Sequence, residues 1–388
     1  MTTEELLEYD VIMNFVASFS KSEEAASIIK LQKPLSCKKQ IVNLKNDVAQ
    51  IINLLNQSKS QKAKQEPQGR LPVIGIVLSK LKVTGTTLTA EEAFDVGTFL
   101  KNGIDLFKWL NEKNTNSEVN CECVEACKII FNLIDSTTGQ IRDTPSIMVI
   151  KQRIATLNKD LQNITASYAN DESTKRMLQS SLTTQRDGRS VLAVRANYRS
   201  KIKGIVHDVS QGGATVFIEP QEVVEKNNEL LIEQHNLDAE IKRLLHELTE
   251  QLSVYSIELK SFHNLIIQIE CVRARAYHAI NTKGVFAKES ETQFNLKQAR
   301  HPLLGSKAVP VDICINDLSL LLITGPNTGG KTVALKTAGL FVLMNQSGLA
   351  LSVAEDSTLP IFEQVFADIG DEQSISQSLS TFSAHIKI

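Results

Sequence analysis

Apolar positions before residue 185 recur mostly at helical spacing. Leu6, Leu7, Ile12, Phe15, Val16 and Phe19 form one stripe on a helix predicted over 4–20. Ile41, Leu44, Val48, Ile51 and Leu55 advance in alternating steps of three and four, as a second helix requires. Gln57 to Gly69, rich in Lys, Gln and Ser and containing Pro67, reads as a surface linker. A third helix begins at Thr89, where Thr89-Ala-Glu-Glu92 forms a capping box, and runs to about Leu110. Asn111 to Asn120 is polar and reads as a loop. Together these elements predict a helical core over 1–145, a normal domain size.

Two later runs keep a heptad rhythm: Ile150, Ile154, Leu157, Leu161, Ile164 and Tyr168, then Leu237, Ile241, Leu244, Leu248, Leu252, Tyr255 and Leu259. Between them lie β-type runs, Ser190-Val-Leu-Ala-Val-Arg195, Gly204-Ile-Val-His-Asp208 and Ala214-Thr-Val-Phe-Ile-Glu219. Asn197 to Lys203 and Ser210-Gln-Gly-Gly213 separate them. The pattern predicts a long antiparallel helical arm over 146–283 that carries a small β tip near 190–220. Ordinary packing of two helices produces the same heptads without any function, but the length of the runs favours an arm.

Leu320 to Ile323 reads as a short buried strand, and Thr332 to Met344 as a helix ending near Gly348, with Val333, Leu335, Leu340, Phe341 and Leu343 apolar. Between them Gly325-Pro326-Asn327-Thr328-Gly329-Gly330-Lys331-Thr332 matches the phosphate-binding pattern G-x-x-x-x-G-K-[ST]. Glycines at 325, 329 and 330 let the backbone turn tightly and bring N–H groups against phosphate oxygens. Lys331 supplies a point charge for the β- and γ-phosphates of ATP, and the Thr332 hydroxyl a ligand for Mg²⁺. Strand, glycine loop and helix aim a helix N-terminus at the phosphate.

The chain has 388 residues, of which 42% are hydrophobic, enough for two or three domains with real cores. Net charge is only −2, so contact with nucleic acid has to come from a local patch. The tip offers one: Arg186, Arg189, Arg195, Arg199, Lys201 and Lys203 against Asp187. Such a set grips phosphates with a salt-dependent affinity, and it serves equally as a solvated hairpin surface. The opening Met1-Thr-Thr-Glu-Glu-Leu-Leu-Glu is acidic and unlike a signal peptide, and no apolar run is long enough to span a bilayer. A cytoplasmic protein without a membrane partner is expected. Six cysteines are too scattered for a disulfide framework in so long a chain. Cys123 and Cys127 share a helix face with no fourth metal ligand at fitting spacing, so structural thiols are favoured over a metal site.

The order of parts resembles the MutS superfamily of ABC-type ATPases, and most closely its second bacterial branch. The resemblance rests on Thr184 to Val194, Gly204 to Pro220 with Asn227-Asn228, and Ala299-Arg-His-Pro302. Ile323 to Val333, Phe366 to Ile375 and Gln377 to His385 carry it further, and Ile134-Asp135 with Gly139 and Asp143 also fit. It implies a multidomain α plus α/β fold: helical core, arm with β tip, and an ABC-type P-loop ATPase domain over 284–388. It further implies that Ser380 and Thr381 reach the γ-phosphate bound by the opposite subunit of a head-to-head homodimer.

Members of this branch lack the domain that reads mismatches, so binding of branched or double-stranded DNA and suppression of recombination are implied instead. Some members act on stalled ribosomes, which adds ribosome quality control as an alternative. The family continues past the ABC signature, which Gln377 to His385 resembles, into a strand ending in Asp-Glu, which holds Mg²⁺ and orients water, and then into a small nuclease domain. This chain stops at Ile386-Lys-Ile388, so a C-terminally truncated form is expected, with an incomplete ATPase sheet and no complete catalytic set. Whether it is itself an enzyme stays open. The second function class is a non-catalytic module that binds DNA or a partner and carries a vestigial nucleotide site.

Overall fold

The computed structural model describes residues 2–58, 65–111, 120–180, 184–315, 320–324 and 330–369. In chain order its helices are α1 (Thr3–Leu6), α2 (Tyr9–Ala17), α3 (Glu23–Leu31), α4 (Lys38–Ser58), α5 (Gly75–Lys80), α6 (Ala90–Leu110), α7 (Cys121–Leu133), α8 (Pro145–Asn170), α9 (Glu172–Lys175), α10 (Gln221–Ser253), α11 (Ser256–Thr282) and α12 (Lys331–Gln346). The strands are β1 (Thr184–Arg186), β2 (Arg189–Arg195), β3 (Gly204–Val209), β4 (Thr215–Pro220), β5 (Lys288–Glu289), β6 (Phe294–Ala299), β7 (Val311–Ile315) and β8 (Thr358–Leu359). The described residues are therefore mainly helical with two small sheets, and the chain divides into two compact units. One comprises residues 1–76, 98–124 and 257–388, the other 77–97 and 125–256.

In the first unit the N-terminal stripe makes two helices instead of one. Glu8 stands at φ 60 between α1 and α2 and turns the backbone there. The turn puts Tyr9, Ile12, Met13 and Val16 of α2 into a core shared with Leu340, Phe341, Leu343 and Met344 of α12. Leu296 of β6 and Ile313 of β7 complete that core, whereas Phe15 remains half exposed. The sheet is mixed: β6 runs antiparallel to β7 and β8, and β5 runs parallel to β8. On α4, Ile41, Val48, Ile51 and Leu55 are buried, and Lys45 joins them. Its Nζ donates to the Ala287 carbonyl at 3.1 Å and to Glu289 Oε1 at 2.9 Å.

The strand expected at Leu320 to Ile323 is not formed. Residues 320–324 pair with no strand among the described residues, and Leu320 and Leu322 are 79% and 80% exposed. An apolar run becomes a buried strand only where neighbouring strands and a covering layer receive it, and the described residues supply neither here.

In the second unit α6 starts where the capping box places it. Glu92 N–H donates to Thr89 Oγ1 at 3.1 Å, and Thr89 N–H to Glu92 Oε2 at 3.0 Å. Helices α8 and α10 pair through Leu157, Leu161, Val223 and Leu230. Ser146 meets Glu240, Arg153 meets Glu233 and Tyr168 meets Glu222, so partner numbers fall as residue numbers rise and the pair is antiparallel. The second heptad run crosses an interruption, because α10 ends at Ser253 and α11 begins at Ser256. Tyr255 N–H closes a tighter turn onto the Leu252 carbonyl at 3.0 Å, a slip that side-chain periodicity does not register.

The chain between α9 and α10 folds as an antiparallel sheet of order β1-β2-β4-β3. Leu192, Val194, Val216 and Ile218 pack with Leu178 and Ile202 beneath it. Strands β2, β3 and β4 occupy the three predicted runs, while β1 is too short to show a period. No helix among the described residues is long and apolar enough to cross a membrane.

Candidate functional site

Two places carry the predicted chemistry, one in each unit. In the first, Gly330 stands at φ 77 and ψ 13 and begins α12 without a side-chain cap. A Cβ at that position meets nothing within 4 Å among the described residues, so among them backbone conformation and not crowding calls for glycine. Lys331 is the first helical residue, and Thr332 follows on the exposed first turn. First-turn N–H groups have no acceptor four residues back and lie at the positive end of the helix dipole, which suits an anion. The Thr332 hydroxyl is a hard oxygen donor of the type Mg²⁺ takes. Gly325, Pro326, Asn327, Thr328 and Gly329 lie outside the described residues, as do Ser380 and Thr381.

The other end of α12 is held firmly. Gly348, at φ 70, ends it, and Leu349 N–H donates back to the Met344 carbonyl at 3.0 Å. Gln346 Nε2 donates to the Leu35 and Phe362 carbonyls at 2.7 and 2.9 Å. Arg275, 1% exposed, donates through Nε to the Ser347 carbonyl at 3.0 Å, through Nη1 to the Cys271 carbonyl at 2.7 Å, and to Gln32 Oε1. Burial lowers its pKa from the ordinary arginine value, and the negative end of α12 supplies the favourable field. One turn along α11, burial and then the charge of Arg275 push the His278 imidazole down to about 4.

In the second unit the structure divides the tip cations into two sets. Arg186 turns to Asp208 at 3.1 Å and lies over the Phe217 ring, 4.0 Å from its centroid. Arg189 donates to Glu219 Oε1 at 2.8 Å and to Asn228 Oδ1 at 2.7 Å. Glu219 is fully buried and also receives Asn227 Nδ2 at 2.7 Å, with His207 Nε2 at 2.5 Å. Burial by itself raises the Glu219 carboxyl, but the hydrogen bonds from Asn227, His207 and Arg189 outweigh it and bring the pKa below the ordinary value. Asn227 also pairs with the Ser190 backbone, joining the sheet to α10. The motif from Thr184 to Pro220, with Asn227-Asn228, therefore contains a structural polar network whose members sequence spacing does not connect.

The second set faces out. Arg195, Arg199, Lys201 and Lys203 are all exposed and form no ion pair among the described residues. They occupy the end of β2, the turn after it and the approach to β3, so the structure strings these four predicted residues along the sheet, Arg195 opposite Thr215 at one end of β4 and Lys203 beside Gln221 past the other. Tyr198, 36% exposed in the same turn, was not singled out by sequence pattern. Its signal is an aromatic ring inside a run of cations.

Cys123 and Cys127 take structural positions, whereas Cys37, Cys121 and Cys314 are exposed. Cys123 Sγ donates to the Glu258 carbonyl at 3.9 Å and Cys127 Sγ to the Gly97 carbonyl at 3.8 Å. Burial, with help from Glu122, pushes the Cys123 thiol up to about 12. No group of three or more metal-ligating side chains comes together among the described residues.

Residues 321–387 match the family model of MutS domain V. Helix α12, with Lys331 and Thr332 at its start, falls within this matched segment. Nearly the whole chain is similar to proteins named Endonuclease MutS2. It is 36% identical over 403 residues to the one from Caldicellulosiruptor saccharolyticus, covering 98% of this chain and 49% of that relative. The one from Ligilactobacillus salivarius is 36% identical over 402 residues with the same coverage, and that from Lachnoclostridium phytofermentans 42% over 334 residues, 81% of this chain and 42% of the relative. The chain belongs to the MutS2 branch of the MutS superfamily. It spans about half the length of these relatives.

Proposed function

We propose that the chain binds ATP with Mg²⁺ at Gly325 to Thr332 and DNA at the tip, as a DNA-structure sensor of the MutS2 type. The observation that carries this reading is Gly330 in the left-handed region directly before Lys331, the first residue of α12. In it, the glycine-rich backbone surrounds the phosphates, Lys331 neutralises the β- and γ-phosphates, and Thr332 ligates Mg²⁺. Ser380 and Thr381 act on the nucleotide of the opposite subunit in a homodimer of ATPase heads. Residues 1–145 then serve as helical core, 146–283 as the arm, and 284–388 as an ABC-type ATPase domain. The antiparallel pairing of α8 with α10 and the sheet between them in sequence support the arm. Branched or double-stranded DNA is the substrate class, with suppression of recombination as the biological outcome and a cytoplasmic location.

Binding of a fluorescent ATP analogue to the 388-residue chain, with and without Mg²⁺, tests the nucleotide half. Lys331→Ala is expected to lower affinity by at least tenfold while the circular dichroism spectrum stays unchanged. Equal affinity in both proteins defeats the assignment of this loop. Nucleic-acid binding without nucleotide binding leaves the second reading, a non-catalytic module, which the exposed tip cations also favour.

A further inference from the structure

Residues 195–203, Arg-Ala-Asn-Tyr-Arg-Ser-Lys-Ile-Lys, carry four cations and no carboxylate. The segment is tied down at several points. Arg195 N–H donates to the Met177 carbonyl at 2.8 Å, Ala196 N–H to the Ala214 carbonyl at 3.0 Å, and Lys201 N–H to the Tyr198 carbonyl at 2.9 Å. Ile202 is 7% exposed and packs into the core beneath the sheet, so its neighbours Lys201 and Lys203 face solvent. At the far end, Gln221 N–H donates to the Lys203 carbonyl at 3.1 Å. The result is a supported strip that runs the length of the sheet, Arg195 at the Thr215 end of β4 and Lys203 at its Pro220 end, with Tyr198, 36% exposed, beside Arg199 in the turn between. Other aromatic rings near the sheet have structural partners: Phe217 lies under Arg186, and the Tyr168 ring packs against the sheet core.

We infer that Tyr198 is a base-stacking residue and that the tip engages an unpaired nucleic-acid strand, such as the single-stranded arm of a fork, in preference to blunt duplex. Cations alone track phosphates in either form. A stacked base pair presents its ring faces to its neighbours, so an aromatic side chain reaches a base face only where a base is unpaired or splayed out. A ring in a strip of phosphate-binding side chains, whose hydroxyl and face have no hydrogen-bond or ring partner among the described residues, adds a term that duplex cannot use. The inference rests on the reading of the tip as a DNA-binding surface and names its substrate class.

Fluorescence anisotropy with the full chain tests it, using a labelled fork with one single-stranded arm and a blunt duplex of equal length, each at several salt concentrations. Tyr198→Leu is expected to weaken fork binding roughly 5- to 150-fold, the range for losing one stacked base, and duplex binding less than twofold. Its salt slope stays unchanged. Tyr198→Phe keeps the ring and restores the preference, which separates stacking from damage to the turn. Arg199→Ala weakens both DNAs and flattens the slope by about 0.7 to 0.9, the amount for one phosphate contact. A 2-aminopurine in the single-stranded arm is quenched by the wild type and not by Tyr198→Leu. Equal losses on fork and duplex, or none on either, overturn the stacking role while Arg199→Ala still supports the tip as a DNA site. Wild-type protein that binds neither DNA, or binding indifferent to Arg199→Ala and salt, overturns the parent reading as well.

Discussion

Tyr9 Oη and Ser347 Oγ lie 2.7 Å apart across 338 residues of sequence. The contact fastens α2 to the C-terminal end of α12, the helix whose other end carries Lys331. Tyr9 also donates to the Gln32 carbonyl at 3.2 Å, and its ring is 2% exposed.

Tyr9→Phe keeps the ring and deletes these hydrogen bonds. Ser347 Oγ retains the Leu343 carbonyl at 2.8 Å, so the expected loss is about 1–2 kcal/mol, read as a lower urea midpoint at unchanged slope.

His278 gives the fold an acid-sensitive window. Its folded pKa is about 4, below the ordinary 6.5, because burial and Arg275 disfavour the cation. Between these values the unfolded chain binds a proton that the native state refuses. Stability from this group is therefore fully present above about pH 6.5 and is lost as pH falls toward 4, by roughly 3 kcal/mol in all. His278→Phe should shrink the difference in urea midpoint between pH 7 and pH 4.5; an unchanged difference removes His278 as the cause.

Two glycines should respond oppositely to alanine. At Gly204 a Cβ falls 2.0 Å from the Glu219 carbonyl oxygen, a backbone atom inside the β3 to β4 pairing. Gly204→Ala is expected to cost about 3 kcal/mol or more and to lower the thermal midpoint. At Gly330 no described residue lies within 4 Å of an added Cβ and φ 77 resists a side chain, so Gly330→Ala costs about 1 kcal/mol of stability. Its larger effect should appear in nucleotide affinity, measured in the same preparations.

Glu219 holds the tip together through Arg189, His207 and Asn227. Glu219→Ala leaves the partly buried Arg189 guanidinium and the buried Asn227 amide without this acceptor, at a cost of about 3 kcal/mol. Amide hydrogen exchange should rise across β2, β3 and β4, and binding to fork and duplex should fall together. Protection that persists in these strands would assign the sheet's rigidity to the apolar residues alone.

The elements that sequence pattern reveals are those whose information is local. The Thr89 and Glu92 capping box starts α6, the heptads mark α8 and α10, and short β-type runs mark β2, β3 and β4, because cap chemistry and strand-forming composition act over a few residues. Glu8 at φ 60 and the interruption at 254–255 escape it, since apolar spacing continues across both. Leu320 to Ile323 escapes it for the opposite reason: strand-like residues do not specify a neighbour. At the tip, charge alone does not separate Arg186 and Arg189, bound to Asp208 and Glu219, from Arg195, Arg199, Lys201 and Lys203, which face solvent.

The phosphate-loop motif, its placement before a helix and the family resemblance are set by sequence alone, because each depends on residue type at short fixed spacing. Tertiary structure decided which apolar face of α2 meets α12, which cations remain exposed, and that Glu219 and Asn227 belong to one network. Those outcomes depend on which surfaces exclude water from one another, and residues hundreds of positions apart acquire that relationship only when the chain has folded.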